Sequence, residues 1–202
     1  LDLSAAFDAV YVNLLVRRLE QSFNITANAS AWIKSYLEGR SQFILIDGCK
    51  SVSHTLESLP QGSLISPFAF PKYTSPIGRL CKKHNVFYHM YADDTQLYLA
   101  FDKTNLHEAL TKMENCINEI RSWMQENFLK LNENKTEFVV FHPKHQKWEF
   151  DNCQIKIGND LISPTKSARN LGVVMDSTLE MEQHVAAITR SCYGQLRGIW
   201  KV

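Results

Sequence analysis

Apolar side chains recur with a helical period in several stretches of the chain. Over residues 106–124 they return every three or four positions, which predicts one amphipathic helix with a single apolar face. Shorter patterns of the same kind predict further helices at residues 10–20, 30–38, 66–84 and 185–200. The stretch 66–84 contains Pro71, which we expect to break or kink it because an interior proline removes a backbone hydrogen bond.

Other stretches are rich in β-branched and aromatic residues or alternate apolar with polar ones, as strands do. Two turn signals predict hairpins: Asp47–Gly48 between residues 43–46 and a returning strand at 52–56, and Ala92–Asp93–Asp94 between residues 86–91 and 95–101. Residues 1–7 are predicted as a strand that runs into a turn, and further strands are predicted at residues 137–141, 154–157 and 171–175. Hairpins together with covering helices predict an α+β fold.

The composition excludes several classes of protein but does not identify a function. The chain has 202 residues, of which 45% are hydrophobic, and this excludes a disordered or collagen-like protein. Its net charge of +1 gives no global sign of a nucleic-acid partner, although a binding groove needs only local positive charge. No apolar run reaches the roughly 18 residues of a membrane span, so we expect no membrane insertion.

The five cysteines are far apart and never form a CxxC pair, which excludes a zinc ribbon and argues against a disulfide scaffold. We therefore expect reduced cysteines in an intracellular protein, with nucleus and cytoplasm both open. The chain begins inside an apolar segment without a methionine, as a fragment would. Its oligomeric state stays open.

Two adjacent carboxylates, Asp93 and Asp94, lie at a predicted hairpin tip. Because they repel one another, a cation normally compensates them. Asp2 lies in a separate predicted strand, and three carboxylates from two strands would suit two Mg²⁺ ions about 3.5–4 Å apart. The alternatives are an aspartate-rich turn for the pair and a solvent-exposed strand end for Asp2.

Four short motifs follow one another along the chain: residues 2–8 (DLSAAFD), 60–63 (PQGS), 91–94 (YADD) and 131–137 (LNENKTE). In this order and spacing they resemble motifs A to D of a reverse transcriptase, of the type that non-LTR, LINE-like retrotransposons encode. Residues 171–173 resemble the start of motif E. YADD alone is a weak signal, whereas the ordered set is highly specific and covers nearly the whole chain.

The resemblance implies a polymerase palm-type antiparallel sheet with covering helices, partial fingers and the start of a thumb. Residues 1–158 would form the palm with partial fingers, and residues 159–202 the motif E region and the truncated thumb start. The implied activity is RNA-directed DNA polymerisation. Its partners would be an RNA template, a DNA primer whose 3′-hydroxyl is extended, and deoxynucleoside triphosphates.

The resemblance also implies individual roles. Asp2, Asp93 and Asp94 would be the catalytic carboxylates and would hold two Mg²⁺ ions, with Mn²⁺ as a substitute. Phe7 would reject ribonucleotides, because a rigid ring beneath the sugar leaves no volume for a 2′-hydroxyl. The remaining implied contacts are with the nucleotide and template for Gln61 and Gly62, with the departing pyrophosphate for Lys135, and with the primer end for Leu171 and Gly172.

Each of these positions also has an ordinary structural reading. Phe7 could be a core aromatic, Lys135 a surface lysine, and Gly62 part of a plain loop before a helix. Asp8 is as acidic as Asp2, but the family places the metal ligand at the first aspartate of motif A. We therefore assign Asp8 a structural role.

The chain also departs from the family pattern. It begins at motif A without the preceding fingers segments, and its last helix stops early in the thumb. Pro71 and Lys72 stand where the family has a pair of leucines, and an interior proline costs about 3 kcal/mol or more. The alternative function is a catalytically silent retroelement remnant with at most residual nucleic-acid binding. We expect the 202-residue chain by itself to be inactive or nearly so.

Overall fold

The computed structural model describes residues 1–56, 58–60, 62–145, 150 and 153–200. Helices and strands are mixed along this part of the chain, which confirms a mixed α and β fold. The helices are α1 (Val12–Phe23), α2 (Ala27–Leu37), α3 (Ser66–Thr74), α4 (Pro76–Lys83), α5 (Leu106–Glu126) and α6 (Glu182–Ile199).

The strands of the described ranges are short and pair in antiparallel fashion. In chain order they are β1 (Leu3–Ser4), β2 (Arg40–Gln42), β3 (Leu45–Ile46), β4 (Cys49–Lys50), β5 (His54–Leu56), β6 (Phe87–Tyr91), β7 (Asp94–Tyr98), β8 (Lys130–Leu131), β9 (Ile155–Ile157), β10 (Asp160–Ile162), β11 (Ser167–Asn170) and β12 (Val173–Asp176). The pairs are β1–β8, β2–β5, β3–β4, β6–β7, β9–β10 and β11–β12.

The chain divides into two compact units, Leu1–Lys135 and Thr136–Val202. The first unit contains α1 to α5 with β1 to β8, and the second contains β9 to β12 with α6. The motifs predict a different boundary, between residues 158 and 159, which separates the implied palm with partial fingers from the motif E region and thumb start. That functional boundary stays a prediction. In the part of the chain that the structure describes, no helix combines the length and apolar character that a membrane span requires.

The longest helix, α5, supplies one apolar face to the core of the first unit. Its buried side chains are Cys116, Ile117, Ile120 and Met124, of which the last three belong to the stripe that the periodicity predicts. Burial of each large aliphatic side chain contributes about 1.5–3 kcal/mol. The apolar face of α5 therefore accounts for much of the stability of this helix.

Pro71 does not break the helix in which it lies, whereas a kink at this position stays a prediction. Helix α3 continues through Pro71 to Thr74. Phe70 and Tyr73, on either side of the proline, are fully buried, whereas Pro71 itself is exposed. The packing of the two aromatic side chains outweighs the backbone hydrogen bond that Pro71 cannot donate.

Three further predictions need correction. The strand that returns from the Asp47–Gly48 turn is β4 rather than residues 52–56, because β5 pairs with β2 instead. The helical stretch 66–84 is two helices, because Ser75 separates α3 from α4. Residues 137–141 do not form a strand, and the pairing described for them is a single parallel bridge between Val139 and Thr165. Alternation of side chains is not sufficient for a strand, because a strand also needs a partner along its length.

A glycine lets α4 lie directly against the β6–β7 hairpin. A Cβ atom at Gly78 would come within 2.5 Å of the hydroxyl oxygen of Tyr88 and 2.8 Å of its Cζ atom. Tyr88 lies in β6, opposite Leu97 of β7. This close approach therefore positions the hairpin that also carries Asp93 and Asp94.

Gly78→Ala is expected to destabilise the first unit by about 1–3 kcal/mol, because the Tyr88 ring must leave a packed position. Urea denaturation followed by circular dichroism measures the change. Gly194→Ala in α6 is the matched control: a Cβ there meets no described atom within 4 Å, and helix propensity predicts a gain of about 0.5–1 kcal/mol. Equal effects of both changes would contradict the close contact at Gly78.

Pro71→Ala is expected to raise the free energy of unfolding by up to about 3 kcal/mol, because the interior backbone N–H of α3 is restored. The same denaturation experiment measures it. Pro67→Ala is the control, since Pro67 lies in the first turn of α3, where no helical hydrogen bond is lost. A less stable Pro71→Ala protein would show that α3 depends on the proline ring.

Candidate active site

The first strand of the chain has neighbouring strands on both sides. On one side β1 pairs with β8, and the Asn132 amide donates to the Asp2 carbonyl oxygen at 2.9 Å. On the other side the Leu1 amino group donates to the Thr95 carbonyl oxygen at 2.7 Å, and the Thr95 amide donates to the Leu1 carbonyl oxygen at 3.3 Å. The opening residues therefore lie between β8 and β7.

This register brings Asp2 beside the hairpin that carries the other two aspartates. When Leu1 faces Thr95 in an antiparallel pair, the next residue along each strand places Asp2 opposite Asp94. Asp94 is the first residue of β7, and Asp93 lies in the turn before it. All three aspartates are half-buried.

Asp2 has a carboxylate oxygen without a hydrogen-bond donor. Its Oδ2 atom is buried and makes no hydrogen bond within the described residues. The Nζ atom of Lys135 lies 3.8 Å away, within reach of an ion pair but too far for a hydrogen bond, and 71% of the lysine side chain is exposed. A buried carboxylate oxygen without a donor is unfavourable, and a cation at this position would relieve the cost.

A second ion pair holds the turn that carries Lys135. Residues Glu133–Lys135 form a 3₁₀ turn, and the Glu133 carboxylate accepts a hydrogen bond from Nε of Arg121 at 3.0 Å. The pKa of Glu133 lies below its usual value, first because its own backbone amide donates to the carboxylate and then because of Arg121. The pair with Arg121 ties the turn to α5.

The donor set suits a hard cation such as Mg²⁺, which prefers carboxylate oxygens, and Oδ2 of Asp2 is a suitable ligand atom. Across the described ranges, however, no three His, Cys, Asp or Glu side chains form a group that could hold a metal ion. The backbone register thus brings Asp2 and Asp94 together without a group of three such side chains around a common position in the described ranges.

Phe7 lies in the turn that follows β1, and its side chain is half-buried. Its ring contacts that of Phe70 in α3, with the centroids 4.9 Å apart. The Phe7 carbonyl oxygen accepts a hydrogen bond from the Leu59 amide at 3.2 Å. Asp8 lies in the same turn and is exposed, so the chain has already left the direction of β1 before Asp8.

The loop before α3 contains two of the predicted nucleotide-binding residues, of which Gln61 lies outside the described residues. Gly62 has a φ of 77°, in the left-handed region, and a Cβ there would meet no described atom within 4 Å. The Ser63 hydroxyl shares a hydrogen bond of 2.9 Å with the hydroxyl of Tyr36, which ties the loop to α2. No spacing pattern points to this contact, because 27 positions separate the two side chains.

Leu171 and Gly172 form the turn of the β11–β12 hairpin in the second unit. Asn170 lies opposite Val173 across this turn, so the predicted strand at 171–175 begins two residues later than expected. Leu171 has a φ of 45° and Gly172 a φ of 86°. The left-handed region disfavours leucine, and the Leu171 side chain is also 53% exposed.

A model of the family described as "Reverse transcriptase (RNA-dependent DNA polymerase)" matches residues 1–175. The matched region includes the whole first unit and extends through β11 into β12 of the second unit. The chain therefore belongs to the reverse transcriptase family, which confirms the prediction made from the ordered motifs.

Two relatives from mobile elements are similar along nearly the whole chain. The probable RNA-directed DNA polymerase from transposon BS of Drosophila melanogaster is 24% identical over 203 residues, which cover 98% of this chain and 22% of the relative. The RNA-directed DNA polymerase from mobile element jockey of Drosophila funebris is 25% identical over 197 residues, which cover 95% of this chain and 21% of the relative. The chain thus spans about a fifth of the length of these relatives.

Leu171→Asn is expected to raise the free energy of unfolding of the second unit by about 1 kcal/mol, because asparagine tolerates the left-handed conformation of a two-residue hairpin turn. Thermal unfolding measures the change. Leu161→Asn is the control: Leu161 is 62% exposed in β10, where asparagine is disfavoured, so stability should fall. A loss of stability in both variants would contradict strain at Leu171.

Proposed function

We propose that this chain is the palm of an RNA-directed DNA polymerase, which extends a primer 3′-hydroxyl with deoxynucleotides on an RNA template. The observation that carries the proposal is the register of Leu1 and Thr95, from which Asp2 lies opposite Asp94 with a buried carboxylate oxygen that accepts no hydrogen bond from the described residues. Membership of the reverse transcriptase family supports the reaction, and the two relatives are named as polymerases of this kind.

The order of neighbouring strands in the first unit supports a palm-type sheet. Strand β6 pairs with β7, Leu1 exchanges hydrogen bonds with Thr95 of β7, and β1 pairs with β8. Helices α4 and α5 pack against β6 and β8, respectively, as covering helices would. Partial fingers before residue 158 and a thumb start in residues 159–202 belong to the same proposal.

Asp2, Asp93 and Asp94 would hold two Mg²⁺ ions, or Mn²⁺ in their place. When bound, these ions activate the primer hydroxyl and stabilise the leaving pyrophosphate. Asp2 and Asp94 contribute from neighbouring strands and Asp93 from the hairpin turn, so the three carboxylates approach from different backbone positions. The exposed ammonium of Lys135 would offset the charge that develops on the pyrophosphate.

The other site residues would position the substrates. Phe7 would lie beneath the sugar and exclude a 2′-hydroxyl by its volume. Gln61 and Gly62 would contact the incoming nucleotide and the template, and the open space beside Gly62 supports a close approach of a ligand to the backbone. Leu171 and Gly172, at the tip of a hairpin, would contact the primer end.

A second candidate function is a catalytically silent retroelement remnant with residual nucleic-acid binding. The observation that favours it concerns the carboxylates: in the described part of the chain no three such side chains are gathered around a metal position. The ammonium of Lys135 also lies 3.8 Å from Oδ2 of Asp2, where it competes with a divalent cation for the same oxygen.

Primer extension on an RNA template with Mg²⁺ and deoxynucleotides distinguishes the two functions. The polymerase function predicts that Asp93→Asn/Asp94→Asn lowers extension by about 100-fold or more, because the substitution keeps the shape of the side chains but removes their charge. Asp8→Asn is the control, since Asp8 is exposed and assigned no ligand role, and it should keep the wild-type rate. Absence of extension by a wild-type protein that circular dichroism shows to be folded would support the second candidate function, a catalytically silent remnant.

Phe7→Val is expected to raise incorporation of ATP relative to dATP by about 10- to 200-fold, because the smaller side chain leaves volume for the 2′-hydroxyl. Single-nucleotide extension opposite a template uridine measures the ratio, in a longer protein that adds fingers segments before motif A, because the 202-residue chain by itself is expected to be inactive or nearly so. Phe68→Val is the matched control, because Phe68 is an exposed phenylalanine of α3 with no assigned role at the sugar. An unchanged ratio in Phe7→Val would contradict the proposal that Phe7 excludes the 2′-hydroxyl of the sugar.

A further inference from the structure

The aromatic pair of Phe7 and Phe70 combines a fixed ring with an accessible one. Phe70 is fully buried in α3, whereas Phe7 is half-buried. The ring centroids lie 4.9 Å apart and the ring planes are inclined by 36°, the tilted geometry of an attractive aromatic contact. A pair that served only the core would bury both rings, but part of Phe7 stays accessible to a ligand.

The backbone of Phe7 is held independently of its ring. The Leu59 amide donates to the Phe7 carbonyl oxygen at 3.2 Å, and Leu59 is itself fully buried. The preceding residue, Ala6, is also buried. Because the main chain is fixed on both sides, the Phe7 ring can move only by rotation of its side chain. Contact with Phe70 restricts that rotation.

Phe70 is a rigid support because its helix is anchored next to it. The Tyr73 hydroxyl donates to the Asn127 carbonyl oxygen at 2.7 Å, which ties α3 to the end of α5. The Thr74 hydroxyl donates to the Phe70 carbonyl oxygen at 3.1 Å. The Phe70 ring therefore has little freedom to follow a movement of Phe7.

We propose that Phe70 is a positioning residue for sugar selection, which holds the Phe7 ring where it excludes a 2′-hydroxyl. The inference rests on the role proposed for Phe7. Exclusion of one oxygen atom requires the ring to stay within about 1 Å of its place. Loss of the Phe70 ring leaves a cavity into which Phe7 can turn, and the space vacated beneath the sugar admits the hydroxyl.

Equilibrium binding tests the inference without a need for turnover. The probes are dATP and ATP, bound by the full 202-residue chain on an RNA template and DNA primer with Mg²⁺. The sugar preference is the ratio of the two Kd values. Phe7→Val is expected to abolish the preference, and Phe70→Leu to reduce it by about 3- to 10-fold. In the Phe7→Val background, Phe70→Leu should have no further effect, because Phe70 acts through Phe7.

Two more variants separate positioning from general damage. Ile117→Val removes a buried methyl group from α5 and destabilises the same unit at a position outside α3, but it should leave the sugar preference unchanged. Phe70→Met, which is close to phenylalanine in volume, replaces Phe70→Leu if the latter does not fold. A reduced preference is expected for Phe70→Met as well, because a flexible thioether holds the ring less firmly.

The outcomes distinguish this inference from the proposed function. If the wild-type chain binds neither nucleotide, the proposed function is contradicted. The role of Phe70 is then overturned as well, because it rests on that function. If Phe7→Val loses the preference while the Phe70 variant keeps it, only the role of Phe70 is overturned. An unchanged preference in Phe7→Val, an additive loss in the double variant or an equal loss in Ile117→Val would also overturn it.

Discussion

Two reciprocal hydrogen bonds between Leu1 and Thr95 join the first strand of the chain to the β6–β7 hairpin. They set the register from which Asp2 lies opposite Asp94, while the Asn132 amide holds the same strand from its other side. A shift of one residue would turn the side chain of Asp2 to the opposite face of the strand. The proposed carboxylate site depends on this register more than on any single side-chain contact.

Around this register, packing rather than charge positions the site. Gly78 allows α4 to approach Tyr88, and the buried Phe70 lies against Phe7. The ion pair of Asp2 and Lys135 is an electrostatic contact instead, and because its lysine side chain is 71% exposed we expect it to contribute only about 0–1 kcal/mol, as surface ion pairs do. It is therefore weak enough for a divalent cation to displace, and both candidate functions remain compatible with the same backbone.

Local signals in the sequence are sufficient for the elements that depend on neighbouring residues. The apolar stripe of α5 predicts the longest helix of the described chain, because its period repeats over several turns. Asp47–Gly48 predicts a hairpin, and both residues have the positive φ that such a turn requires. The family was also predictable, because the order and spacing of several motifs carry more information than any one of them.

The sequence by itself therefore determined the helices and hairpins with strong local patterns, the family, and the aspartates to examine. Tertiary structure alone decided that α3 continues through Pro71, that residues 137–141 form a single bridge rather than a strand, and that the ring of Phe70 contacts that of Phe7. The reason is physical: propensities act over a few residues and are worth less than about 1 kcal/mol for most of them, whereas burial and strand register depend on segments far apart in the chain.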